Sequence, residues 1–301
     1  MTAGRILVLG GTGILGQALA RRLGPGRCVV TGRTRQAGVV PFNALTDDVE
    51  PVIDSAGALD GVFLMMGLTA PDACAARPEE ARRLNVDAMR RAVAACEARQ
   101  LPIVFLSSEV VYNGLQGLYR ETDPPAPLML YGILKLEAEA IVAAARTRAV
   151  VARCARVLGS TPGDGTVVTD LLARLRRGET IRVAADQRFS PILDDDAANL
   201  LLGLLRSGAD GIFHVGGPSA LSRLEIAQKC HRWLSEHGLG HPQATVQPAL
   251  MRDFPTAEAR PRDVSLRIDR LTSVVGLVPT GIDGIITACG ARLQRPSSPF
   301  Q

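Results

Sequence analysis

Residues 5–24 read RILVLGGTGILGQALARRLG, and this stretch sets the architecture. Ile6-Leu7-Val8-Leu9 is a short unbroken apolar run, the mark of a strand buried on both faces. Gly10-Gly11-Thr12-Gly13 breaks it. From Ile14 the apolar residues recur at helical spacing, and they stop at Gly24-Pro25-Gly26. Cys28-Val29-Val30 then begins a second strand that ends at Gly32-Arg33. Strand, glycine turn, helix and strand fit within about 30 residues, the length of a βαβ unit.

Gly10, Gly13 and Gly16 recur every third position. Gly10 permits a tight turn, Gly13 lets a phosphate approach the backbone, and Gly16 lets helix and strand pack closely. The helix amino terminus adds free N–H groups and the positive end of a dipole. A dinucleotide site is expected; a purely structural glycine turn is the competing reading. The end of the second strand indicates which dinucleotide. An acid there holds the ribose 2′-hydroxyl of NAD, whereas an arginine suits a 2′-phosphate. The chain has Thr31-Gly32-Arg33-Thr34-Arg35 and no acid, so NADP is expected, with Arg33 as its ligand. Against this stands Arg33 as an ordinary arginine of a solvated loop.

The same alternation continues. Gly61–Met66 reads as a buried strand, and Pro78 opens a long helix running through Asn85 to about Arg99. Pro102–Leu106 is a strand with Ser107-Ser108 at its carboxyl end. A loop rich in Gly and Pro follows, then a helix over Leu130–Arg146 and a strand over Ala149–Val157. Strands alternating with helices predict an α/β fold of the Rossmann type, a doubly wound parallel sheet. Beyond Gly159 the pattern is less regular. Helices are expected over Thr166–Arg177, Asp195–Arg206 and Ser222–His237, strands over Ile181–Val183 and Gly211–Val215, and a mixed, loop-like stretch over Gly240–Arg262. We therefore expect an NADP-binding domain over 1–158 and a smaller, mixed substrate region over 159–301, with some chain returning to the sheet.

Composition narrows the rest. The chain has 301 residues, 47% of them apolar, which is enough for a sizeable core and excludes a disordered chain. A formal charge of +4 is too balanced to suggest a nucleic-acid partner. No run approaches ~18 apolar residues, so no membrane span is expected. Six scattered cysteines lack any Cys-x-x-Cys spacing, and four histidines show no ligand pattern, so no metal site is expected. The amino terminus reads directly as a strand, without a leader pattern, and a cytoplasmic protein is expected.

Tyr131-Gly132-Ile133-Leu134-Lys135 carries chemistry. Four residues apart on a helix, Tyr131 and Lys135 share one face. An ammonium stabilises phenolate, so the lysine tunes the tyrosine as a proton donor to a carbonyl oxygen while hydride arrives at carbon. The chain has only three tyrosines and, among 34 basic residues, two lysines, Lys135 and Lys229. Chance pairs them at this spacing in roughly 2% of such sequences. Ser108, at the carboxyl end of a parallel strand, lies where open α/β sheets bind ligands; a strand-end hydroxyl satisfying backbone is the competing reading.

Together with these residues, Leu84-Asn85-Val86-Asp87-Ala88, the run from Phe105 to Gly114, Tyr119–Asp123, Asp186-Gln187, Gly211–His214 and Arg260-Pro261-Arg262-Asp263 recur in family order across almost the whole chain. The sequence resembles the extended short-chain dehydrogenase/reductases, and within them the dTDP-4-dehydrorhamnose reductase branch, which also holds the regulatory β subunit of methionine adenosyltransferase. The resemblance implies Tyr131 as general acid, Lys135 as its tuner and ribose ligand, Ser108 orienting the substrate carbonyl, and Asn85 in the proton-relay position. It implies Gly10, Thr12, Gly13, Ile14 and Leu15 along the pyrophosphate, and Arg33 at the 2′-phosphate. Three departures surround the nicotinamide and substrate pocket. Met65-Met66-Gly67 replaces small residues beside the cofactor, Glu109-Val110 replaces an Asp-Tyr pair beside the substrate, and Arg156 stands where an aromatic is usual. Arg156 suits a phosphate or carboxylate of the substrate; a surface or scaffold arginine is the competing reading. Val110 cannot act as the base of the related dehydratases.

The expected function is therefore NADPH-dependent reduction of a keto group on a sugar nucleotide or similar polar metabolite. A non-catalytic NADP-binding regulatory subunit and an NAD(P)-dependent sugar epimerase are the alternatives. The expected partner is a small-molecule substrate, with a homodimer as the candidate assembly.

Overall fold

The computed structural model describes residues 4–293. β1 (Arg5–Leu9) and α1 (Ile14–Leu23) flank the glycine turn, followed by β2 (Cys28–Gly32) and β3 (Val39–Pro41). α2 (Glu50–Ser55) leads into β4 (Leu59–Leu64). α3 (Pro71–Ala76), α4 (Pro78–Arg82) and α5 (Ala88–Glu97) precede β5 (Ile103–Ser108), and α6 (Leu130–Ala143) precedes β6 (Ala149–Cys154). Then come β7 (Val157–Leu158), α7 (Val167–Arg176), β8 (Thr180–Ala184), β9 (Arg188–Phe189), β10 (Ile192–Leu193), α8 (Asp194–Ser207) and β11 (Gly211–Val215). β12 (Leu221–Ser222), α9 (Arg223–Glu236), β13 (Thr245–Ala249), α10 (Asp269–Val275) and α11 (Ile282–Leu293) complete the order.

Seven strands form one sheet in the order β11-β6-β5-β4-β1-β2-β3, and every pair in it is parallel. The expected doubly wound α/β sheet is present. Alternation along each strand divides the core. Leu7, Leu9, Val62, Leu64 and Phe105 pack with Met89 and Val93 of α5 and Val142 of α6. Ile6, Val8, Phe63, Val104 and Val150 face the other way, onto Leu19 of α1 and Leu201 and Leu204 of α8. A third core joins α7, α9 and α11 through Leu172, Leu175, Ile226, Trp233 and Ile285. Three two-stranded ladders, β7 with β10, β9 with β12 and β8 with β13, accompany it. β11 lies beyond Gly159 in sequence yet pairs with β6 along its whole length, from Gly211↔Val150 to Val215↔Cys154.

The structure departs from the sequence pattern at particular places. The helix expected over 78–99 is interrupted by one π-helical turn at Arg83–Asp87, where the Ala88 N–H donates to the Arg83 carbonyl. A single wider turn barely changes the apolar period, so it leaves no mark in the pattern. The strand expected over Ala149–Val157 ends at Cys154, and the chain resumes at β7 to pair with β10 instead. The loop-like stretch 240–262 contains β13, parallel to β8. The short α2 and α3 and the edge strand β3 fall below the length at which periodicity is legible.

Phe63 is fully buried in the centre of the sheet. Phe63→Ala is expected to lower unfolding free energy by about 3–5 kcal/mol in urea titration. A loss under about 1 kcal/mol, within the range of surface substitutions, contradicts the packing described.

Candidate active site

β1 and β4 are neighbours whose following helices leave toward opposite faces, so a crevice opens at their carboxyl ends. The three glycines have different work there. Gly10 has φ 82°, and a Cβ on it would run into the backbone of Met66 at the end of β4. A side chain on Gly16 would overlap the backbone of Gly11, so this glycine seats α1 against the turn. Gly13 has ordinary extended backbone, φ −75° and ψ 171°, and a Cβ there would meet nothing. Nothing in the protein requires glycine at that position, whereas a ligand approaching the helix would. Gly13 caps α1 without a side-chain hydrogen bond, leaving the first-turn N–H groups of Ile14 and Leu15 for an anion.

Other residues shape the same crevice. The Gly10 N–H donates to the Thr31 hydroxyl at 3.1 Å, and Thr12 packs its methyl over Gly32. Gly10, Thr12, Gly13, Ile14, Leu15, Gly16 and Met66 thus lie together. Arg33 follows β2 directly and is exposed, and residues 33–38 contain no acid. The donor set fits a dinucleotide with a 2′-phosphate.

The second half of the site is built by β5 and α6. Ser108 ends β5, and its hydroxyl accepts the Val110 N–H at 3.4 Å across the 3₁₀ turn Glu109–Val111. α6 starts at Leu130, whose N–H donates to the Glu258 carboxylate at 2.9 Å. A Cβ on Gly132 would overlap the Val110 carbonyl and the Pro127 ring. Glycine after Tyr131 is therefore what lets α6 press onto the turn carrying Ser108. Lys135 follows Tyr131 by one turn on the same face. Its Nζ donates to the Leu106 carbonyl at 2.8 Å and stands 5.9 Å from the Tyr131 ring centre.

Asn85 sits inside the π turn, almost wholly buried. Its Nδ2 donates to the Leu68 carbonyl at 3.1 Å, and its Oδ1 has no protein partner. Gly67, at φ 150°, is closed over that oxygen. A π turn in a helix commonly marks a functional position.

Burial governs the electrostatics. It pushes the Lys135 ammonium down to about 8, opposed by the Glu139 carboxylate one turn along α6. It pushes the Tyr131 phenol above its ordinary value, opposed by a hydrogen bond with Ser108 and by the Arg156 charge. The sequence pattern points to Lys135 as the group that lowers the phenol; in the structure, desolvation outweighs the opposing groups. Glu139 is itself held by Arg153 at 2.7 Å and by the Ser107 hydroxyl.

A cavity of about 520 Å³ opens beside this centre, lined by Glu109, Val110, Met129, Arg156, Phe189 and Arg223 among others. Burial pushes the Glu109 carboxyl up to about 8, opposed first by the Arg156 charge and N–H and then by Arg223. Arg156 and Arg223 both stand over the Phe189 ring, at 5.7 and 5.8 Å. Arg223, Glu258 and Gly132 were not singled out from sequence. Arg223 and Glu258 arrive from distant chain with no local pattern, whereas Gly132 lies inside the Tyr131–Lys135 stretch and was legible as a close-approach residue. Among the described residues no group of three or more His, Cys, Asp or Glu gathers as a metal site, and no helix is long and apolar enough to cross a membrane.

The sequence profile of the RmlD substrate binding domain matches residues 4–293. A Haloferax volcanii protein named "Probable low-salt glycan biosynthesis reductase Agl14" is 26% identical, over 97% of this chain and 99% of its own. Methionine adenosyltransferase 2 subunit beta of Pongo abelii is 25% identical, over 90% of this chain and 82% of its own. Among solved structures, dTDP-4-dehydrorhamnose reductase of Bacillus anthracis in complex with NADP superposes with a TM-score of 0.82 at 21% identity, covering 96% of this chain and 99% of that one.

Gly13 and Gly16 separate binding from stability. Gly13→Ala is expected to keep stability within about 1 kcal/mol while NADPH affinity, followed by fluorescence, falls at least about tenfold. Gly16→Ala is expected to cost about 1–3 kcal/mol in urea unfolding. Unchanged NADPH binding in Gly13→Ala would exclude the phosphate cradle.

Proposed function

The chain belongs to the RmlD substrate binding domain family, and from that premise we propose that it is an NADPH-dependent reductase of a keto group on a sugar nucleotide. The observation that carries this reading is the gathering of Ser108, Tyr131 and Lys135 at the carboxyl end of β5, two strands from the glycine turn, with Glu109 and Val110 of the arginine-lined cavity following Ser108 directly. NADPH, when bound, supplies the hydride. Gly10, Thr12, Gly13, Ile14, Leu15 and Gly16 hold its pyrophosphate, Arg33 its 2′-phosphate and Lys135 its ribose, with Met66 against the nicotinamide end.

Tyr131 gives its proton to the substrate carbonyl oxygen. Its raised pKa keeps the phenol protonated until charge develops on that oxygen. Ser108 donates a hydrogen bond to the same atom and orients the carbonyl. Asn85, with a free buried Oδ1, accepts from the chain of donors that returns a proton toward Lys135. Glu109 and Arg156 contact the substrate where they line the cavity. The chain up to residue 158 holds the cofactor, and the chain from Gly165 to Val264 supplies most of the substrate wall. The partner is this small molecule, and a homodimer is the assembly we assign for test by light scattering. The intact Ser108, Tyr131 and Lys135 favour turnover over a cofactor-binding regulatory subunit, and net NADPH oxidation separates reduction from epimerisation.

Tyr131→Phe is expected to lower kcat by about 10²–10⁴ with a 4-keto sugar nucleotide and to leave NADPH affinity unchanged. Turnover equal to wild type would remove Tyr131 from the chemistry. Arg33→Ala is expected to erase most of the preference for NADPH over NADH in direct binding; an undiminished preference would place 2′-phosphate recognition elsewhere.

Lys135 sets a pH limit. As an ammonium it donates to ribose more strongly than as a neutral amine, and its pKa of about 8 replaces the ordinary 10.5. NADPH affinity of the free protein is therefore expected to fall as pH rises through about 8. Stability runs the other way. The unfolded chain holds that proton more tightly, so the share due to Lys135 increases as pH climbs from about 8 toward 10.5. Affinity that stays flat up to pH 10.5 would contradict this assignment.

A further inference from the structure

Most of the arginines around the cavity have a carboxylate of their own. Arg174 meets Glu179 at 2.8 Å and Asp170 at 3.6 Å, Arg260 meets Asp72 at 2.6 Å, and Arg182 lies 3.9 Å from Asp253. Among the described residues, Arg156 and Arg223 make no ion pair. Arg223 Nε donates to the neutral Gln187 Oε1 at 2.7 Å, and no other side-chain partner holds either guanidinium. Both lean on the same Phe189 ring. Burial and then the Arg156 charge hold the Arg223 pKa down to about 10, so the two cations repel each other.

The nearest acid does not balance them. Glu109 is buried, its Oε2 has no partner, it makes no ion pair with either arginine, and burial pushes its carboxyl up to about 8, toward the neutral form. Two like charges on one aromatic ring, facing a cavity and lacking a counter-charge, oppose folding unless the cavity brings an anion.

Their position fixes which part of the substrate carries that anion. Glu109 follows Ser108 directly, Arg156 and Glu109 line the cavity together, and the Arg156 charge acts on both the Glu109 carboxyl and the Tyr131 phenol. The pair therefore stands at the reacting end of the cavity. Resting on the reading of the substrate as a sugar nucleotide, we infer that the sugar itself is acidic. It bears a carboxylate that Arg156 and Arg223 hold beside the Phe189 ring. A planar carboxylate offers two oxygens, which suits two guanidinium forks, and the ring face excludes water behind it.

Calorimetry on the full chain saturated with NADP tests this, using pairs of ligands that differ only in the carboxylate: UDP-glucuronic acid against UDP-glucose, and dTDP-glucuronic acid against dTDP-glucose. The acid of at least one pair is expected to bind at least about tenfold more tightly than its neutral partner. Arg156→Gln and Arg223→Gln are each expected to reduce that preference to below about threefold, and Arg223→Lys to retain part of it. NADPH affinity in each variant reports that the fold is intact. Equal binding of acid and neutral ligands overturns the inference and leaves the sugar-nucleotide reading standing. An equal loss for both members of a pair in Arg156→Gln also overturns it, because the guanidinium then holds the shared diphosphate. Binding of none of the four while NADPH still binds overturns the sugar-nucleotide reading and the inference with it.

Discussion

The geometry of the site depends on one buried ion pair. Arg153 of β6 meets Glu139 of α6 at 2.7 Å, with both side chains almost wholly removed from water. Such a pair costs several kcal/mol of desolvation per ion and repays it only when the remaining donors and acceptors are met. Here they are met. The Ser107 hydroxyl of β5 donates to Glu139, and Arg153 Nη1 donates to the Tyr112 hydroxyl at 2.7 Å. Tyr112 also meets His214 Nε2 of β11 at 2.8 Å. α6 is thereby fixed in rotation and in height against three neighbouring strands. Lys135 lies one turn before Glu139, and Tyr131 one turn before that. The pair is thus remote from the reacting atoms and still sets where they stand.

Close approach at glycines supplies the complementary constraint. Gly132 admits the Val110 carbonyl, Gly16 admits Gly11, and Gly10 admits Met66. Each contact lets a backbone come nearer than any side chain would allow, so Ser108, Tyr131 and the phosphate cradle rest on rigid elements. The distant chain completes the wall. Glu258 caps α6 at Leu130, while Asp72 at the start of α3 accepts from the Ala257 N–H and from Arg260. The first turn of the helix bearing Tyr131 is held by a loop more than a hundred residues away, so cofactor side and substrate side share that helix end.

What could be read in sequence follows from the range of each interaction. The glycine turn, the Tyr131–Lys135 spacing and Ser108 at a strand end are local, and local chemistry is written in adjacent residues. The doubly wound, parallel class of the sheet followed from alternation of apolar runs with helical ones, whereas the strand order emerged only in the structure. The π turn at Arg83–Asp87 was hidden because it inserts one residue without changing residue types. The Glu139–Arg153 pair was hidden because charge alone does not announce burial, and both residues look like ordinary polar positions until β6 and α6 are brought together. Arg223 was hidden for the same reason. It opens α9 inside the Ser222–Glu225 capping box, and nothing near it in sequence points to Arg156 across the Phe189 ring.

The chain's choice between its two cations follows the same logic. It carries 34 basic residues and spends lysine at only two positions, of which Lys229 makes an ordinary surface pair with Asp283 at 2.9 Å. The other is Lys135. A guanidinium stays charged in any environment, whereas an ammonium yields its proton when burial is deep enough. At Lys135 burial brings the pKa to about 8, close to where enzymes operate, so the group can release and regain a proton beside Tyr131. At the reacting end of the substrate cavity the demand is opposite. Arg156 and Arg223 must remain cations next to each other and next to an acid that gives them little charge in return. Arginine persists there where lysine would discharge. The two ends of one reacting centre thus separate a positive charge that must titrate from one that must not, and the residue types follow that division.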